Sequence, residues 1–298
     1  MSQGTAILTT IVAYNVVLIT IGLWDRRRTR SHVDFFLGGR RMGGAVAALS
    51  AAASSSSAWT LLGVSGAAYA WGLGALWLFP ATLGGFLLNW IWVAPRLRRL
   101  SKDSGAITLT DVIAGDRTDP LFRLITRLGA VIVLFSFSFY VAAQFHAAGH
   151  AFASAFDISW RLSMLIGVLV VLAYTLLGGF WAVSVTDSVQ AVLMLASSFL
   201  LPVIAVLSIG GPGQLFAGLD TILSSDQQSL TRGLSGALGI AFVAGTLGIG
   251  LGYPGQPHVV NRFMALENEA ALRRGRLRRL PENDIPDCAG LSFVFKAR

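Results

Sequence analysis

The charged residues of this chain are confined to short stretches, and the intervals between them are long. No Asp, Glu, Lys or Arg occurs in residues 1–24, 42–95, 128–156, 162–186, 188–219 or 233–261. A helix that crosses a bilayer needs about 20 mostly apolar residues. Five of the intervals hold one such helix each, and the 54-residue interval holds two. The pattern predicts seven spans, near 5–24, 45–68, 71–95, 125–150, 160–178, 181–209 and 233–255. A soluble globular chain is excluded, because about a quarter of its residues would be charged and here only 13% are. A membrane β-barrel is excluded as well, because its strands are short and alternate between apolar and polar residues. Residues 1–24 do not read as a cleaved leader: the basic residues follow the apolar run instead of preceding it.

The net charge of +8 would suit a nucleic-acid partner only if it formed one patch. It is distributed by loop instead. With the N-terminus outside, the inner segments carry 21 of the 23 Lys and Arg, and the outer side keeps Arg161 and Arg232. That asymmetry sets orientation by the positive-inside rule and places the C-terminus in the cytoplasm. The basic runs Arg26–Arg28, Arg96–Arg99 and Arg273–Arg279 read as topology signals and contacts to anionic lipid, not as a nucleic-acid surface. The one cysteine, Cys288, cannot form an internal disulfide.

Two of the seven spans are poor continuous helices. The second contains four consecutive serines, Ser54 to Ser57. Their hydroxyls can rebond carbonyls freed where a helix opens, or they can serve close helix packing through small residues. The seventh holds Gly245, Gly248, Gly250, Gly252 and Gly255 and closes with Pro254 and Pro257, a composition that disfavours helix. Interrupted helices at corresponding positions of two halves point to a transporter binding site. Here they are five spans apart, which implies two five-helix repeats of opposite topology: spans two to six form the first, and span seven opens the second. Residues 1–266 then form the membrane part. Residues 267–298 form a basic cytoplasmic tail, with an amphipathic helix over 267–279 and weak order beyond it.

Single residues carry further readings. Asp187 is the only acid inside a predicted span, where an uncompensated charge costs several kcal/mol. It reads either as an ion contact or as a helix-end acid reached by water. His146 and His150 are four apart and share a helix face. With no third ligand evident, they read as polar residues near the outer membrane face rather than a metal site. No nucleophile–base pair or metal constellation appears, so the chain does not read as an enzyme. Arg40, between Gly38-Gly39 and Gly43-Gly44, is placed to anchor its loop by hydrogen bonds to carbonyls or lipid phosphate.

Four segments resemble the sodium:solute symporter family, and most closely its bacterial sodium/proline branch. They are FFLGGRRMGG (35–44), SAAASSSSAWTLLGVSGAAY (50–69), LAYTLLGGFWAVSVTDSVQAVLM (172–194) and LGYPGQPHVVNRFMAL (251–266). The resemblance extends over about residues 5–277 and matches only the N-terminal half or so of such a symporter. It implies an all-α polytopic membrane fold of two inverted five-helix repeats plus an N-terminal helix, here with the second repeat largely missing. It implies a multi-pass protein of the bacterial inner membrane. The function implied is coupled uptake of sodium and a small organic solute, proline or another amino acid, with sodium as coupling ion and no organic cofactor. The rival function is a symporter-like sensor module of a signalling protein. On sodium, the resemblance implies carbonyl ligands at Ala53 and Ser56, completed by a helix of the second repeat, and a transient contact at Asp187. On the solute, it and the opened spans point to Ser57, Trp59, Tyr140, Tyr253, Gln256 and Pro257. Two departures stand out. Ser55 and Ser56 occupy the places of an acidic Asp-Met pair, and Ile249 that of a Trp. After Leu277 the family's pattern is lost, so the sequence reads as truncated or frame-shifted there and inactive alone.

Overall fold

The computed structural model describes residues 3–26 and 31–275. The described part of the chain is helical, with no β-strand and one isolated parallel bridge between Met42 and Leu266. The last residues of the expected tail, 276–298, lie outside the described residues, as do those of the basic runs at 27–28 and 276–279.

Helix α1 (Gln3–Arg26) is the first expected span. A short α2 (His32–Leu37) follows, started by a capping box in which Ser31 and Asp34 exchange hydrogen bonds. The second span is broken into α3 (Gly44–Ser55), a π-helical turn (Trp59–Gly63) and α4 (Val64–Trp71). The third is α5 (Leu78–Leu88), a π-helical turn (Asn89–Val93) and α6 (Ala94–Ser104). It runs nine residues past the expected end at 95, because a proline is accommodated in the first turn of a helix and the basic face of α6 continues the helix into the polar region. Helix α7 (Leu109–Ala114) has its own capping box, Thr108 with Asp111. Helix α8 (Phe122–Phe156) is the fourth span. The fifth and sixth are continuous in α9 (Trp160–Ser208), articulated at Gly179 with φ 61° and ψ −165°. The connection expected between the spans at 160–178 and 181–209 therefore reduces to one glycine. The position needs glycine twice over: φ is positive, and a Cβ would lie 3.2 Å from the Phe35 carbonyl oxygen. Helix α10 (Pro212–Ile222) was not anticipated. Helix α11 (Gly236–Gly248) starts the seventh span, which tightens into a 3₁₀ stretch over Ile249–Gly255. Helices α12 (Pro257–Met264) and α13 (Glu269–Gly275) follow. Among the described residues, five helical stretches are long and apolar enough to cross a membrane: Thr5–Trp24, Val64–Ser104, Phe122–Phe156, Gly179–Ser208 and Gly236–Gly255. Gly44–Ser55 and Trp160–Ala173 are shorter apolar helices.

The chain divides into two compact units. The first is Met1–Ala48, Trp90–Val183 and Val260–Arg298. Its centre is a junction of connecting segments in which Leu37, Met42, Leu97, Phe263, Met264 and Leu266 are buried. Trp90 meets Phe263 edge-on at 5.0 Å. Met42 and the 265–267 segment exchange backbone hydrogen bonds. Arg40 ties the junction together: its guanidinium donates to the Ser101 hydroxyl (2.7 Å) and to the carbonyls of Ser101, Ala106 and Met264 (3.0, 2.7 and 3.2 Å). Partial burial, and then the neighbouring Arg98, hold its pKa below the ordinary value. Arg98 donates to the carbonyls of Leu266 and Glu267. Of the two anchorages expected for Arg40, carbonyls and lipid phosphate, the structure shows the carbonyls. Helix α13 buries Ala271 and Leu272, so this part of the segment expected as a surface helix packs inward.

The second unit is Leu49–Asn89 and Ser184–Val259. Helix α5 buries Leu78, Ala81 and Gly85, a stripe at helical spacing. On this stripe lies the 3₁₀ stretch of span seven. A Cβ on Gly85 would lie 2.6 Å from the Gly250 carbonyl oxygen and from the Tyr253 ring, so the two backbones approach only because both positions are glycine. Phe86 packs on Tyr253 at 5.1 Å. At the other end of the seam Arg232 lies over the rings of Trp71 and Phe242. The 224–233 segment closes over that end: Gln227 bonds the backbone at Tyr69 and Leu73, and Trp77 donates to the Leu230 carbonyl.

Candidate ion and solute site in the opened spans

Helix α3 stops at Ser55, and Ser56 and Ser57 are not helical. The ending is stabilised locally. The Ala52 carbonyl accepts from the Ser55 hydroxyl (2.8 Å), the Ser56 hydroxyl (3.1 Å) and the Ser56 N–H (3.2 Å), and the Ala53 carbonyl also accepts from Ser56 N–H (3.0 Å). Beyond the break, the Ser57 hydroxyl accepts from Trp59 N–H and the Ser57 carbonyl from Thr60 N–H. Of the two readings of the serine run, the structure takes the opened helix, with hydroxyls replacing lost backbone partners.

The same helix binds the intramembrane acid. Ser50 and Ser54, one turn apart on α3, both donate to Oδ2 of Asp187 at 2.9 Å. Ser50 is fully buried, and Asp187 is half-buried. Two hydroxyl donors lower the cost of keeping a carboxylate in apolar surroundings. Sequence reasoning missed Ser50 and did not pair Ser54 with Asp187. The signal was present: serines at 50 and 54 share a helix face, and Ser54 precedes the opening by less than one turn.

Span seven breaks one residue after its 3₁₀ stretch. Gln256 is extended (φ −90°, ψ 100°), and Pro257 starts α12. Ala53, Ser56, Ser57, Trp59, Asp187, Tyr253, Gln256 and Pro257 all belong to the second unit, and only Tyr140 of the expected residues belongs to the first. Ala53 is buried; Ser56, Ser57, Tyr253, Gln256 and Pro257 are half-buried. Trp59 is 53% exposed and its ring lies over Gly63 of its own turn. Tyr140, half-buried on α8, packs against Phe137 at 5.7 Å. His146 and His150 are both exposed and lie against Trp160. No group of three metal-ligating side chains occurs among the described residues.

These features invite comparison with known membrane proteins. The model of the sodium:solute symporter family matches residues 35–282. The chain belongs to the sodium:solute symporter family. Among relatives of this symporter family, the high-affinity proline transporter PutP of Bacillus subtilis is 36% identical over 263 residues, which is 87% of this chain and 54% of that protein. The sodium/proline symporter of Escherichia coli is 36% identical over 279 residues, 93% of this chain and 54% of the relative. The chain thus spans about half the length of the curated relatives it matches. Among solved structures, a Na+-coupled sialic acid symporter in a substrate-bound outward-open state superposes with a TM-score of 0.73. Its sequence identity is 19%, and the match covers 90% of this chain and 55% of that one. The fold is that of the symporter family: an all-α polytopic membrane protein of the inverted five-plus-five-helix type.

Proposed function

We propose that this chain carries the first-repeat half of a sodium-coupled symporter for proline or another amino acid, together with the opened first helix of the second repeat. The observation that carries the reading is the carboxylate of Asp187 held by two hydroxyls of the helix that opens at Ser56–Ser57. Sodium is a hard cation that takes oxygen ligands. The carbonyls of Ala53 and Ser56 supply some of them, and Asp187 supplies a transient contact on the inner side. The solute lies beside the two opened segments, where Ser57 and the Tyr253–Pro257 turn offer hydrogen-bonding backbone and Trp59 forms an apolar wall. Sodium drives transport only through a higher affinity for one of two alternating states, and the outward-open state is the one it favours here. The N-terminus faces outside and the C-terminus the cytoplasm of the plasma membrane.

The test uses the length relation to the relatives. The 298-residue chain is expressed in a bacterium lacking proline transport, alone and together with the C-terminal half of the Escherichia coli sodium/proline symporter. Sodium-dependent uptake of labelled proline with the pair supports the proposal. Both polypeptides in the membrane without any sodium-dependent uptake would count against it.

A further inference from the structure

Asn89 closes the buried stripe of α5, one turn beyond Gly85, and begins the π-helical turn Asn89–Val93. It is 0% exposed, and neither its Nδ2 nor its Oδ1 has a hydrogen-bond partner. Buried amides are almost always paired, and in a membrane-embedded segment no bulk water relieves an unpaired one. A second unpartnered buried atom belongs to the same unit: Oε1 of Gln256, at the break of span seven.

The packing between the two segments sets their register. Gly250 lies against Ala81 and Gly85, and Tyr253 against Gly85 and Phe86, so the segments run in the same direction. From Gly85 to Asn89 is four residues of helix, about 6 Å of rise. From Tyr253 to Gln256 is three residues of 3₁₀ backbone, also about 6 Å. Asn89 and Gln256 therefore stand level, on the two sides of the seam that glycines hold close. The π-turn fits this picture: such turns insert one residue into a helix and recur at functional sites.

We propose that Asn89 is a solute-binding residue that, with Gln256, holds the zwitterionic head of an amino or imino acid. The inference rests on the amino-acid reading of the function and adds to it a residue outside both opened segments. The hydrogen-bonding inventory is what selects the ligand. Nδ2 offers two donors, which suit a carboxylate, while Oδ1 and Oε1 offer two acceptors, which suit the N–H groups of an ammonium. A bare cation would meet the amide N–H groups with the wrong polarity. A purely apolar solute would leave all three atoms unpaired.

The experiment compares Asn89→Leu and Gln256→Leu with the unchanged 298-residue chain, each paired with the C-terminal half of the Escherichia coli sodium/proline symporter and purified in lipid nanodiscs. Thermal unfolding is followed in rising concentrations of proline. An unpaired amide contributes nothing to the ligand-free fold, so replacing it by an apolar group of similar size leaves the ligand-free Tm equal or higher. The same replacement removes the partners of the solute head, and the apparent affinity for proline falls about tenfold or more. Two results overturn the inference while leaving the proposed function standing. One is an Asn89→Leu chain that binds proline as tightly as the original. The other is a ligand-free Tm well below the original, which would make Asn89 a structural residue. A chain that proline does not stabilise at any concentration would instead remove the amino-acid reading itself, and this inference with it.

Discussion

Arg40 and Asp187 each bring one charge into helical packing, one in each unit, and they are held in different ways. Arg40 has a left-handed backbone (φ 55°) and donates four hydrogen bonds, three of them to backbone carbonyls that lie 61 to 224 residues away in sequence. Such acceptors cannot be withdrawn without moving the chain, so the cation is a fixed staple. Asp187 accepts from two serine hydroxyls on one short helix. A hydroxyl rotates about its own bond and can turn to its own i−4 carbonyl when the carboxylate finds another partner. One arrangement fixes a junction; the other can exchange partners at little cost, which is what a transient ion contact requires.

The largest expected effect separates the two on stability. Arg40→Ala removes four hydrogen bonds from a partly buried junction, leaving the Ser101 hydroxyl its bond to the Ala106 carbonyl but taking the guanidinium donor from the Ser101 and Met264 carbonyls, and is expected to destabilise the chain by about 3 kcal/mol. Arg40→Lys recovers only part of this, because an ammonium cannot present the planar fork that reaches four acceptors. Thermal unfolding in nanodiscs checks both. An Arg40→Ala protein as stable as the original would show that the junction is held by its apolar contacts alone.

Asp187→Asn probes the other side of the comparison. An amide oxygen still accepts from Ser50 and Ser54, so stability changes by less than about 1 kcal/mol. The charge is gone, and the sodium concentration for half-maximal proline uptake by the paired halves rises by about tenfold, on the order of 1.4 kcal/mol of lost ion affinity. An unchanged sodium requirement would leave Asp187 with a packing role and erase the contrast with Arg40.

This contrast also shows what the sequence could and could not reveal. The apolar helical character was legible because absence of charge over 24 residues or more is a bulk property that no neighbour modifies. The break at Ser56–Ser57 was legible as one of two readings, since four hydroxyls in a row can serve either. Helices α2 and α7 escaped, although Ser31 with Asp34 and Thr108 with Asp111 are capping boxes three residues apart; they are too short to show hydrophobic periodicity. The partners of Arg98, 168 and 169 residues away, were not legible at all, because nothing local marks a carbonyl as an acceptor for a distant cation. Asn89 fell within an apolar run as one polar residue, and its unpaired state is a property of packing alone.

The smallest effect comes from a carboxylate that lacks both kinds of enclosure. Asp116, in the loop between α7 and α8, accepts at 2.9 Å from Thr118 N–H. That bond first, and the Thr118 side chain second, hold its pKa below the ordinary 3.8. A carboxyl whose pKa is depressed by folding stabilises the folded state fully above the unfolded value, and this stabilisation is lost as pH falls through the lower folded value. The contribution of Asp116 is therefore constant from neutral pH down to about 4 and disappears only below that. Asp116→Asn should leave both the Tm and the sodium requirement unchanged at pH 7 and differ from the original only in acid unfolding below about pH 4. If Asp116→Asn shifted the sodium requirement as Asp187→Asn is expected to, the effect of Asp187 would have to be ascribed to general negative potential on the ion. The two serine hydroxyls on α3 would then lose their special part in the coupling.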